Sequence, residues 1–300
     1  MAKIFRFGLI VEKDGLTRAR LIETARRAES EGYSTILGTD HLGTLSSLPV
    51  LQAAAEATSL RIGTLVLNND LRHPVVLAHD LATVDLLTEG RLEIGLGAGW
   101  ANDEYDQAGL AFDEARQRFA RLRATVAVLK QALSEGRIER DGDAAYPSMR
   151  LTDVPRSHQR PHPPVLIGGG GPRMLGYAAQ EAQIVGLDPR ALPGGGHDDV
   201  DISEARFDQK IEWIRAAAGD RWPQLELNVI LFGVNRASGS RSGGLAADEL
   251  ARSPHYLFGT PAEMIATLIE RRERWSISYI AVRPELAEAM APVVEQLSGR

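Results

Sequence analysis

The chain has no cysteine among its 300 residues. Disulfides, zinc–thiolate sites, iron–sulfur clusters and cysteine nucleophiles are therefore excluded, and the absence fits a reducing cytoplasm. An excess of positive charge is also missing. Lys and Arg number 34 against 40 Asp and Glu, a formal net charge of −6, so the basic face of a nucleic-acid binder is not expected. No apolar run approaches the roughly 18 residues of a membrane span. The opening stretch MAKIFRFGLIVEKDG is broken by Arg6 and Glu12 and does not read as a signal peptide. GxSxG, HExxH and the phosphate-binding P-loop are all missing. His158 and His162 are flanked by Pro161, Pro163 and Pro164, so they do not share a helix face. His197-Asp198-Asp199 reads as a solvated loop, and no metal site is expected. With 44% hydrophobic and 25% charged residues, a chain of this length buries enough surface to fold without cross-links.

Short apolar segments alternate with amphipathic ones from end to end. Strands are read at 4–11, 33–38, 60–67, 91–97, 164–168, 183–187, 225–233 and 277–282. Helices are read at 17–31, 48–58, 74–88, 113–134, 172–182, 203–217, 261–274 and 284–297. Apolar strands between helices imply a parallel sheet covered on both faces. Eight such units favour closure into a (β/α)₈ TIM barrel over an open doubly wound sheet. No linker interrupts residues 1–300, so one domain is expected, with insertions at about 135–163, 188–202 and 235–250. The second and third insertions follow strands and can cover the barrel mouth. The first, rich in Pro, Asp and Arg, reads as a hairpin or extended arm; it follows a helix, begins at the other end, and has to climb to reach the mouth.

Barrel active sites gather at the C-terminal ends of the strands. The second strand ends in Asp40-His41, an acid beside an imidazole and suited to proton transfer. The third runs into Asn68-Asn69-Asp70, which fits either a ligand-facing rim or a simple turn. The fourth ends Gly97-Ala98-Gly99-Trp100, bare backbone followed by a large wall. The fifth ends in four glycines, Gly168, Gly169, Gly170 and Gly171, then Pro172 at the start of a helix. Free N–H groups and the helix dipole there favour an anion. Arg173 and Arg190 lie nearby and can add charge.

An ordered set of motifs runs through these segments. It comprises Ala28-Glu29, Gly32-Tyr33, Thr39-Asp40-His41, Ile62-Gly63-Thr64 with Val66, and Arg72-His73-Pro74. Ala82-Thr83 with Asp85, Gly90-Arg91 with Gly95, Gly97 and Gly99-Trp100, and Glu104-Tyr105 with Gly109 follow. Pro163-Pro164, Ile167 to Gly170, Ala178-Ala179 and Gly259-Thr260-Pro261 complete it. Together they resemble the luciferase-like superfamily of flavin- and deazaflavin-dependent oxidoreductases, and most closely its coenzyme F420-dependent class. The resemblance implies a TIM barrel paired into a homodimer, a small-molecule substrate, and a flavin or F420 reductase as a partner. It implies F420 in the barrel mouth, with FMN as the alternative. Relatives carry a non-proline cis peptide at the position of Leu65–Val66, behind the ring. The glycines before Trp100 would approach the ring's polar edge, and residues 168–171 would hold the phosphate. Arg173 and Arg190 would meet the charged tail, and Asp40 or His41 would move a proton. Relatives that oxidise sugar phosphates carry Trp and Glu where this chain has Thr44 and Trp100, which argues against that substrate. An FMN-dependent monooxygenase using oxygen and a non-catalytic cofactor carrier remain the alternatives.

Overall fold

A computed structural model describes residues 3–11, 15–235 and 245–300. In chain order its elements are β1 (Arg6–Ile10), α1 (Arg18–Ser30), β2 (Thr35–Gly38), α2 (Ser47–Ala57), β3 (Arg61–Thr64), β4 (Leu67–Asn68), α3 (Pro74–Leu87) and β5 (Leu92–Gly97). Next come α4 (Asn102–Ala108), α5 (Ala115–Glu135), β6 (Ile138–Arg140), β7 (Met149–Leu151), β8 (Val165–Gly169), α6 (Pro172–Glu181), β9 (Ile184–Leu187) and α7 (Glu204–Ala218). The remainder are β10 (Glu226–Ile230), β11 (Gly233–Val234), α8 (Ala247–Arg252), β12 (Tyr256–Leu257), α9 (Pro261–Trp275), β13 (Ile277–Val282) and α10 (Ala287–Leu297).

The main sheet runs β3-β2-β1-β13-β10-β9-β8-β5-β4, and β3 also pairs with β5 through Ile62 and Leu92. That last pairing closes an all-parallel barrel with the helices outside, the architecture the alternation predicts. Local signals set the elements. Pro74, Pro172 and Pro261 each open a helix, where the missing N–H costs nothing. Thr260 and Glu263 form a capping box at the start of α9. No helix among the described residues is long and apolar enough to cross a membrane.

The N-terminal end of the barrel is plugged by charge. Arg6 donates to Glu226 at 3.0 and 2.6 Å and to Glu93 at 2.6 Å, and Arg61 reaches Glu93 at 2.7 Å. The Arg6 guanidinium lies 4.1 Å above the Tyr279 ring. Burial alone would raise the Glu93 carboxyl, but Arg6 and Arg61 hold it below its usual value.

Three expectations need correction. The third strand, read as 60–67, is split into β3 and β4 around Leu65–Val66, whose peptide bond is cis. The seventh, read as 225–233, leaves the barrel after Ile230. There Phe232 donates to the His255 carbonyl, and Gly233–Val234 pairs with β12 instead. The 135–163 insertion forms the antiparallel β6–β7 hairpin, whose Tyr146 approaches His73 on the outer flank. It then fastens at the N-terminal end, where Gln159 meets Asp85 and the Leu92 carbonyl. None of its residues lines the barrel mouth. Most of the 235–250 insertion, residues 236–244, lies outside the described residues; its final residues begin α8.

Candidate active site

The C-terminal end of the barrel opens into a cavity of about 850 Å³. Its edge at β2 begins with Asp40. Both carboxylate oxygens accept from Arg72, at 2.5 and 3.0 Å, and one also accepts the Asn68 backbone N–H at 3.1 Å. The side chain is only 6% exposed, so Asp40 is committed to pinning β4 in place. Asn68 is tied further. Its side-chain oxygen accepts from the Asp70 N–H at 3.1 Å and the Tyr105 hydroxyl at 3.0 Å. Burial, with Asp70 beside it, pushes the Tyr105 hydroxyl up to about 12, so it stays a donor across the physiological range.

His41 is differently placed. Its Nδ1 lies 2.5 Å from Glu104 Oε1, while Glu104 Oε2 accepts the Leu42 N–H at 3.3 Å. A carboxylate at Nδ1 fixes the proton on that nitrogen and leaves Nε2 as the working atom. Trp100 stands edge-on to His41, with centroids 5.8 Å apart, and contacts His197 from the 188–202 segment at 4.5 Å. His197 Nε2 in turn lies 3.6 Å from Asp188. The second insertion thus covers part of the mouth. It is anchored by the buried Lys210, which donates to Asp201 at 2.7 Å and to the Asp188 carbonyl at 2.9 Å.

The glycines of β5 and β8 face a protein side chain. A Cβ on Gly97 would lie 2.7 Å from Val66 Cγ2, and one on Gly168 would lie 3.3 Å from Val66 Cγ1, whereas one on Gly95 would first strike the Thr64 carbonyl oxygen. Gly97 and Gly168 thus form a seat for Val66, which lines the barrel mouth. Beside it, the Leu65 N–H donates to the Gly38 carbonyl at 2.7 Å. Gly99 adopts φ +77°, and a Cβ there would strike the Tyr105 hydroxyl. Ala98 offers its carbonyl to Arg118 Nε at 3.2 Å.

The loop after β8 divides its labour. Gly169 makes room for Met174, and Gly170 lets the backbone of 188–190 pass within 2.4 to 2.6 Å of where its Cβ would be. Gly171 has nothing within 4 Å of a Cβ and stands at the N-cap of α6, with no side-chain cap and no acidic residue in the first turn. That is an open helix N-terminus facing the cavity, suited to an anion. Arg173, in the same turn, has no ion-pair partner among the described residues. Arg190 is occupied: its side chain donates to Asp198 and its backbone N–H to Asp201, both at 2.7 Å.

Every residue given a catalytic or cofactor-binding role from the sequence lines this one cavity; of the Asn68-Asn69-Asp70 run only Asn68 does. Sequence reasoning gave no role to Arg72 or Glu104, although both stand in quoted motifs, and it passed over Arg118 and Asn228; it read His197 as part of a solvated loop, whereas that side chain is only 9% exposed and packs on Trp100. For Asn228 the signal was present, a lone amide in the apolar run LELNVILFG. Among the described residues no group of three or more acidic or imidazole side chains is placed to hold a metal.

Residues 5–209 match the family model for luciferase-like monooxygenases. The chain is 32% identical over 189 residues to an F420-dependent glucose-6-phosphate dehydrogenase of Kineococcus radiotolerans, covering 58% of this chain and 54% of that protein. It is 30% identical over 236 residues to F420-dependent glucose-6-phosphate dehydrogenase 1 of Rhodococcus jostii, covering 70% and 68%. For the first of these relatives, the match spans about half of their length. The coenzyme F420-dependent tetrahydromethanopterin reductase of Methanopyrus kandleri superposes with a TM-score of 0.78 over 98% of each chain at 20% identity, a likeness of fold.

Proposed function

The chain belongs to the luciferase-like monooxygenase family, and on that premise we propose that it is an F420-dependent oxidoreductase acting on a small organic substrate. One observation carries the reading. A single cavity joins an uncapped helix N-terminus, a Val66 shelf and an imidazole–carboxylate pair. The group fits: Gly171 leaves open space at the α6 N-terminus, and Arg173 adds an uncommitted cation for an anionic tail. When bound, the deazaflavin supplies hydride donor or acceptor chemistry.

The chain's own residues do the rest. Leu65 and Val66 would form the surface behind the ring, and Asp40 with Arg72 holds that surface in register. Trp100 and His197 narrow the mouth and exclude water. At the substrate oxygen, His41 Nε2 takes the proton of an alcohol or returns it to a carbonyl. Glu104 balances the charge that then forms on the imidazole. Asp40, with both oxygens engaged, is a positioning residue. A homodimer and a partner flavin or F420 reductase belong to the same proposal and rest on the family alone; a cytoplasmic location belongs to it too and rests on the lack of cysteine.

The test is a fluorescence titration against F420 and, separately, FMN, with wild type and His41→Asn. The proposal expects tight F420 and weak FMN binding. His41→Asn should keep F420 affinity and lose about 100- to 10,000-fold in turnover. A preference for FMN points to an oxygen-using monooxygenase. Binding without any turnover points to a carrier.

A further inference from the structure

Barrel order splits the cavity into two halves. The Val66 shelf and the glycine loop belong to β4, β5 and β8, while β1, β13 and β10 form the opposite wall. That wall is apolar, built from Ile10, Val11, Ile230 and Phe232. The charged pair at its rim, Arg283 and Glu285, stands 3.3 Å apart and neutralises itself. At the base of this wall sits one polar side chain, Asn228, which lines the cavity yet is only 1% exposed. It lies two residues below Ile230 on β10, so both share the inward face. Its Nδ2 donates to the Tyr279 carbonyl at 3.2 Å. That bond fixes the amide and leaves Oδ1, without a partner among the described residues, as the acceptor Asn228 adds to the cavity.

An amide oxygen at the base of an apolar wall discriminates strongly. A ligand that offers it a hydrogen is rewarded, and one that covers it with a methylene strips it of water and returns nothing. Pockets of this kind draw specificity from a few polar groups set among apolar ones. We propose that Asn228 is the specificity-determining residue of this half. It accepts a hydrogen bond from a second hydroxyl or N–H on an otherwise apolar, uncharged alcohol or carbonyl compound whose reacting oxygen meets His41. The inference deepens the reading above and rests on it for the identity of the reacting centre.

The test uses ¹⁵N-labelled full-length protein and two probes, cyclohexanol and trans-1,4-cyclohexanediol. They share an apolar ring and differ by one hydroxyl. The side-chain amide of Asn228 is assigned as the pair of cross-peaks lost in Asn228→Leu. Both probes should shift the Ile10 and Ile230 amides of the wild type. The diol alone should shift the Asn228 side-chain amide and should bind about fivefold more tightly. In Asn228→Leu that advantage should vanish while cyclohexanol still binds. Equal affinities, an unmoved Asn228 amide, an advantage that survives in the variant, or no binding of either probe overturns the proposal. Should Asn228→Leu not fold, the Asn228 resonances assigned through backbone connectivity in the wild type decide alone. F420 fluorescence on the same samples reports the oxidoreductase reading separately, so failure of one is not mistaken for failure of the other.

Discussion

At the N-terminal end of the barrel, Arg6, Arg61, Glu93 and Glu226 converge on one another, and every charge is answered inside the barrel. At the C-terminal end the same residue types pair along the rim, Asp40 with Arg72, Glu104 with His41, Asp188 with His197, and the centre stays open. Glycine follows the same division. A Cβ on Gly8 would lie 2.5 Å from Leu37 Cδ1, so its absence lets the interior fill. Gly97 and Gly168 instead admit Val66, and Gly171 faces space. Whether a charged pair or a glycine plugs a barrel or opens it depends on where its partner lies. The amino-acid type does not decide it.

The largest test breaks the plug. Glu93→Gln takes the buried carboxylate from two partly exposed guanidinium groups, and stability should fall by about 3 kcal/mol in urea denaturation. F420 affinity in the folded fraction should not change, because the mouth shares none of these groups. Loss of cofactor binding in proportion to stability would show that the two ends are not independent.

Acid should separate the ends next. His255 is buried against Phe232 of the cavity wall, with ring centroids 4.6 Å apart, and donates from Nδ1 to the Ile230 carbonyl. Burial lowers it to about 4 from an ordinary 6.5. Between those values the unfolded chain binds a proton that the folded chain refuses. Stability contributed at this site is therefore complete above 6.5 and falls as pH drops toward 4, by at most about 1.4 kcal/mol per pH unit. Glu93, at the other end, has the same sign but a lower window: its carboxyl is held below 4.5, so its contribution is complete above 4.5 and is lost as pH falls from there through the depressed value. Denaturation curves from pH 7 to 4 should lose this slope in His255→Gln. An unchanged slope would place the acid sensitivity elsewhere.

The smallest effect sharpens the role of the mouth glycines. Gly97→Ala puts a methyl 2.7 Å from Val66, whose branched side chain has little room to turn, at a cost of about 1–3 kcal/mol. Val66→Ala in the same chain should recover most of it. A double-mutant cycle without coupling would mean that the glycines serve only the ligand.

Much of the barrel could be read in advance. Eight apolar segments between amphipathic ones foretold eight strand positions, and the residues placed at their C-terminal ends do share one cavity. The errors have physical causes. The segment 60–67 reads as one strand because its apolar pattern is continuous; the cis bond at Leu65–Val66 is where the family resemblance put it, but that resemblance did not say that the strand divides there. Helix α4 is short and polar, with only Tyr105 buried, so hydrophobic periodicity does not reveal it, and with it Glu104 loses its role as partner of His41. Arg190, placed near the ligand by its position in the chain, does line the cavity, but only the structure reveals that its side chain also meets Asp198 and its N–H Asp201.

The sequence by itself determined the alternation, the count and the end of the barrel at which chemistry gathers, because strand and helix periods are written into neighbouring residues. Only the tertiary structure decided the partnerships. Asp40 meets Arg72 across 32 positions and His41 meets Glu104 across 63, and Val66 finds its seat on glycines of two other strands. Such contacts depend on the closure and register of the barrel, which fix distances to a few tenths of an ångström between residues that no local pattern connects.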